Sequence, residues 1–222
     1  MARSKSKRKK QSGPHRKAPA PVQGRPRDVR IISYEVTFEP TADPPFEALP
    51  PEVQERYRVL YEAVEARPAE CIAELEALVS SYPQVPKFFN LLTAAYTHSG
   101  QAAKAEAHIG EAMERHPDYL FARLNYAELC LRQGKLDAIP GIFDHKFDLS
   151  LLYPGRKVFH VTEVVSFAGV MAQYFIATGR RDTAEVYRKT LREIAPGHPM
   201  TRLVENLMGG MSWMSRLLRG RL

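Results

Sequence analysis

Gly100 and Gly134 stand 34 residues apart, and so do Pro83 and Pro117; Gly179 follows Gly134 by 45, the same step plus eleven. Between these marks the apolar residues recur every three to four positions. Val53, Tyr57, Leu60, Tyr61 and Val64 form one stripe, Ala102, Ala105, Ile109, Ala112 and Met113 a second, and Ala184, Tyr187, Leu191 and Ile194 a third. That period belongs to helices with one buried face. Pro68, Pro83, Pro86, Pro117, Pro196 and Pro199 fall between the helical stretches, where a residue without a backbone N–H does no harm. A glycine between two helices supplies the positive φ of a tight reversal. Helix, glycine turn, helix and a fixed repeat length predict an all-α chain, an antiparallel helix-pair solenoid.

Residues 86–119 carry the pattern most fully, with Phe89, Leu92, Thr93, Tyr96, Gly100, Ala105, Ile109, Ala112 and Pro117. Phe89, Leu92 and Tyr96 line the face that the first helix turns to the second. Thr93 and Ala105 keep the crossing narrow, and Pro117 ends the second helix. In these residues and in its length the unit resembles the tetratricopeptide repeat. The next copy keeps Tyr126, Ala127, Cys130 and Gly134, but Arg123 replaces the first aromatic and Ile139-Pro140 falls where the small crossing residue belongs, which predicts a short or kinked second helix. A later copy keeps Met171, Ala172, Phe175, Gly179, Ala184, Leu191 and Pro196 and departs at Ala168 and Arg188. A partial first copy keeps Cys71, Leu75, Leu78 and Pro83. The resemblance spans residues 52–197. The eleven extra residues fall within 143–160, where Phe143, Phe147, Leu149, Leu152 and Phe159 require cover; Arg156, Lys157 and His160 make that segment a candidate docking loop.

The two ends differ from the body in charge. The 222-residue chain has a net charge of +7. Residues 1–30 contribute +10, residues 31–199 contribute −6 and residues 200–222 contribute +3. The first 30 residues hold too little apolar surface to offset ordering entropy, so a disordered basic tail is expected. No apolar run follows the charged start, so the tail is not read as a secretory signal. Lys7, Arg8, Lys9 and Lys10 are a candidate polyanion contact, to RNA or the ribosome, with no aromatic nearby for base stacking.

Residues 31–51 read as an extended arm and a stiff, proline-rich linker. Ile32, Tyr34, Val36 and Phe38 alternate with polar residues, a strand period. A lone strand is unstable. The arm is expected to lie on the helices, and Lys157–Val161 is the other segment with which it could pair. Residues 198–222 read as a capping or amphipathic helix, with Met211, Met214, Leu217 and Leu218 on one face, arginines outside it, and a hinge at Gly209-Gly210. Peripheral membrane contact is expected only through residues 208–222.

Catalytic signatures are missing from the sequence: there is no glycine-rich phosphate loop, no His-Glu-x-x-His and no Cys-x-x-Cys. Cys71 and Cys130 occupy apolar repeat slots, as buried thiols do. His98, His108 and His116 are expected at the surface or at helix caps. No enzyme activity, cofactor, metal or small-molecule substrate is expected. The run Val164–Thr178 is too short to span a bilayer and suits a buried helix.

The family resemblance implies binding of a protein or peptide in a concave groove lined by the first helices. On this chain that face carries Lys87 and Asn90, then Phe121, Leu124, Asn125, Glu128 and Arg132, then Gln173. Some family members clamp a C-terminal carboxylate with basic residues here; this chain has Leu, Phe, Val or Ser in those slots, so no such clamp is expected. The reading is a cytoplasmic adaptor or scaffold. Its alternative is nucleic-acid or ribosome association through the tail. The groove could also be filled by the arm or by the C-terminal helix.

Overall fold

The computed structural model describes residues 34–219, with side chains described as far as Gly209. Lys7, Arg8, Lys9 and Lys10 lie outside the described residues. A strand β1 (Glu35–Thr37) and a single turn α1 (Pro44–Glu47) precede the helix pairs. First and second helices then alternate: α2 (Pro51–Ala63) with α3 (Pro68–Ser81), α4 (Pro86–His98) with α5 (Ala102–Arg115), and α6 (Leu120–Arg132) with a 3-10 turn (Leu136–Ala138) and α7 (Ile139–Ile142). The extra segment holds α8 (Leu149–Leu152) and β2 (Val158–His160). It is followed by α9 (Val161–Ala177) with α10 (Arg181–Ile194), and by α11 (Pro199–Arg219). Consecutive helices pack pairwise along the chain.

The repeat is visible in the backbone. Gly100, Gly134 and Gly179 have φ of 74°, 70° and 75°. At each, the glycine N–H donates to the carbonyl three residues back, and the next N–H donates to the carbonyl five back: Tyr96, Cys130 and Phe175. A side chain at any of the three would be strained by the left-handed backbone alone. Pro51, Pro68 and Pro86 open their helices, where a missing N–H costs nothing. Cys71 and Cys130 are buried thiols.

The third pair departs as its sequence predicts, with Pro140 at the start of a single-turn α7. The 143–160 insertion then folds over the pair's end. Phe143, Leu149, Leu152 and Phe159 are buried in one continuous cluster with α6, α9 and α10 residues.

The arm lies on the helices as expected, with Tyr34 and Val36 packed against the cluster that holds the buried face of α9. It also takes the other partner that the sequence offered: β1 pairs parallel with β2, placing Glu35 beside Val158, Val36 beside Phe159 and Thr37 beside His160. Tyr34 meets Phe159 edge-on at 5.1 Å. Nor is the proline-rich stretch a bare linker. Its Phe46 and Leu49 are buried, Phe46 meets Tyr57 at 5.0 Å and Phe88 at 6.3 Å, and Asp43 caps α1. The arm therefore belongs to the body at both ends. α11 runs through Gly209-Gly210 without a break, against the expected hinge. Its first turns cap the array: Thr201 and Val204 are buried, and Met200 lies over Gly169 of α9.

Candidate functional site

The face formed by the first helices is polar, and it is shorter than the sequence suggests. At one end the Lys87 ammonium sits 3.1 Å from the Asp43 carboxylate and 4.7 Å from the centre of the Phe46 ring. The α1 turn thus occupies that end. In the middle, the Asn125 amide donates to Asn90 Oδ1 at 3.0 Å, joining α6 to α4. Phe121 is half-buried beside Tyr119, at 5.7 Å between ring centres. Glu128 is half-buried and Arg132 is exposed. Burial pushes the Glu128 carboxyl up, while the Arg132 charge pulls it back down. Among the described residues no hydrogen-bond donor serves that carboxylate.

Two expected groove residues are not on an open face. Leu124 is buried in the cluster that holds Leu149, Leu152 and Phe159, because the insertion and α9 cover that side of α6. Gln173 turns inward: its amide donates to the Gly169 carbonyl at 3.2 Å and lies 3.7 Å from Met200 Sδ. The C-terminal helix therefore fills the α9 end. Lys87, Asn90, Phe121, Asn125, Glu128 and Arg132 remain together on α4 and α6.

The loop residues are largely committed to structure. Arg156 makes two bonds to Glu163, at 2.9 and 2.8 Å, and its guanidinium lies 4.2 Å from the Phe159 ring centre. His160 caps α9 through Nδ1, and the His160 N–H donates to the Glu163 carboxylate at 2.9 Å. This reciprocal cap satisfies two otherwise orphaned N–H groups. Lys157 is exposed at its side chain, while its carbonyl accepts from Glu35 N–H.

No family model, curated protein or solved structure matches this chain.

A second polar constellation lies where sequence reading expected surface histidines. His98 is exposed, but His108 is buried between Phe89 and Tyr96. Glu76 of α3, Tyr96 of α4, and His108, Glu111 and Arg115 of α5 line an open cleft of about 380 Å³. The Tyr96 hydroxyl donates to Glu76 Oε1 at 2.6 Å. Burial, reinforced by that carboxylate, pushes the hydroxyl up to about 12. Tyr96 lies four residues before Gly100 and His108 eight after it, and the antiparallel helices bring their rings to 5.8 Å. Phe89 and His116, farther from the same reversal, meet at 4.8 Å.

Burial lowers the pKa of both His108 and His116. The unfolded chain then takes up protons first as pH falls through the ordinary imidazole range near ~6.5. The stability held by the neutral rings is complete above that range and is lost below it. Thermal melts from pH 8 to pH 5 should show a falling midpoint, with a shallower fall in His108→Asn. An equal slope in the two proteins contradicts the assignment.

Proposed function

We propose that this chain is a cytoplasmic, tetratricopeptide-like protein-binding scaffold that takes an extended segment of a partner across the first-helix face of α4 and α6. The observation that carries the reading is the strip Asn90, Asn125, Glu128 and Arg132. It consists of two amides joined across neighbouring helices and a half-buried carboxylate without a donor, beside an exposed arginine. Such groups meet the N–H and C=O groups of an extended backbone, and a donor brought to Glu128 would relieve its desolvation. The covered ends, at Lys87 and at Gln173, limit the segment to the width of two helix pairs. Among the described residues no helix is long and apolar enough to cross a membrane, which agrees with a scaffold that works in water.

The test is the combined variant Asn125→Ala, Glu128→Gln, Arg132→Ala. Partners captured by the tagged wild-type chain should be lost, while loss of the Asn125–Asn90 bond lowers the melting temperature by only about 2–4 °C. Capture equal to wild type removes the groove assignment.

A further inference from the structure

The cleft between α3, α4 and α5 brings two hydrogen-bond acceptors face to face. His108 Nε2 lies 3.2 Å from the Phe89 carbonyl oxygen. A carbonyl only accepts, so Nε2 carries the proton of the neutral ring and Nδ1 presents a lone pair. The side chain is only 7% exposed, and its ring is stacked on Phe89 within 2° of parallel. Burial disfavours the doubly protonated ring. Yet the group facing Nδ1 is another acceptor, Glu111 Oε2, at 3.7 Å. Arg115 is engaged with the other oxygen, Oε1, at 2.9 Å. Across the cleft Glu76 receives the Tyr96 hydroxyl, and the Lys104 ammonium stands 3.9 Å away, beyond hydrogen-bond reach, over the Tyr96 ring. A nitrogen lone pair and a carboxylate oxygen thus face one another 3.7 Å apart.

A planar cation with several N–H groups and no acceptor fits that arrangement. A guanidinium group has five donors and a permanent charge. Tyr96 and His108 border the cleft, whose volume of about 380 Å³ is at the small end of the range for ligand sites. We propose that this cleft is a guanidinium-binding site. One edge of the cation donates to His108 Nδ1 and Glu111 Oε2, and the Glu76 carboxylate faces it from α3. The group could arrive on an arginine side chain of a partner protein or on free arginine.

The experiment is an NMR titration of the full-length chain at constant ionic strength, reading the His108 ring and the Glu111 amide. The probes are N-acetyl-arginine amide, free arginine and N-acetyl-citrulline amide, which has nearly the same shape without the charge. Saturable shifts are expected with the arginine probes, and binding at least about tenfold weaker with citrulline. The amide alone binding tightly assigns the site to a protein-borne arginine; free arginine binding equally well assigns it to the small molecule. Glu111→Gln should abolish saturation at an unchanged melting temperature, because its amide can itself donate to Nδ1 and fill the gap. Three results overturn the proposal: equal response to citrulline, saturation retained in Glu76→Gln/Glu111→Gln, or a free protein whose His108 ring already carries both protons at neutral pH.

Discussion

Replacing Arg123 with alanine should destabilise the protein by about 3 kcal/mol, a fall of roughly 10 °C in melting temperature. Arg123 stands 34 residues after Phe89, in the slot where the best repeat has a buried ring, and it is itself buried. Its Nε donates to the Pro117 carbonyl at 2.6 Å. Nη1 donates to the Ile142 carbonyl and to Asp144, both at 3.0 Å, and Nη2 donates to Asp118 at 3.2 Å. Asp144 and His145 follow one another with φ of 51° and 57°. Two consecutive non-glycine residues in that region each carry a cost of about 1–2 kcal/mol. The guanidinium fork holds the chain there, so alanine leaves two carbonyls without donors and releases the start of the insertion. Lysine keeps the charge but lacks the fork, and should recover less than half of the loss.

Urea unfolding at neutral and acid pH separates the two parts of the Arg123 effect. The hydrogen bond from Arg123 holds the Asp144 carboxyl below its ordinary range. That contribution is present above the unfolded carboxyl range near ~3.9 and is lost as pH falls through the lower folded value. Asp144 is about half exposed, so this part is small against the lost carbonyl bonds. The wild-type and alanine proteins should converge only slightly at acid pH. Equal stability of the two at neutral pH contradicts the assignment.

Gly169→Val should loosen the C-terminal helix. A Cβ at this position would overlap Cγ and Sδ of Met200, well inside van der Waals contact. Gly169 is buried, so the overlap is relieved by swinging the Met200 side chain off α9 or by shifting α11, at a cost of roughly 1–3 kcal/mol. Hydrogen exchange in residues 199–209 should rise while α2 to α6 keep their protection. Met200→Ala placed in the same chain makes room for the new methyl groups and should restore much of the protection. If the double variant exchanges as fast as Gly169→Val alone, the Met200 overlap is not what drives release.

The parts of the fold that read well from sequence were those fixed by local chemistry. Gly100, Gly134 and Gly179 marked the reversals because only a left-handed backbone closes them in this way. The stripe through Phe89, Leu92 and Tyr96 marked its buried face for the same kind of reason, since a helix period is set by its own backbone. Leu124 and Gln173 were misplaced because their exposure depends on what folds back from far along the chain: the insertion in one case and α11 in the other. Period alone assigns a residue to a face of its helix, and distant segments decide whether that face stays open. The strand period of Tyr34 and Val36 was legible, but its partner was decided by the position of Val158–His160 at the start of α9. Arg123 was legible only as an exception to the repeat. Its four bonds depend on an insertion whose path no spacing rule describes.

The β1–β2 pairing changes how the whole chain comes together. A stack of helix pairs is close to one-dimensional: each unit touches its neighbours, and the ends can unzip while the middle holds. Here residues 35–37 are joined to residues 158–160, and Phe46 returns the chain to α2 and α4. The stack is closed into a ring by a segment synthesised before the helix pairs and seated after them. Its docking on β2 must wait until the third pair and the insertion have emerged. Before then the arm is a loose end with an unpaired strand, and afterwards opening the first pair strains contacts more than a hundred residues away. Repeat-by-repeat energies should therefore fail to add in this protein, and its unfolding should be sharper than that of an open array of the same length.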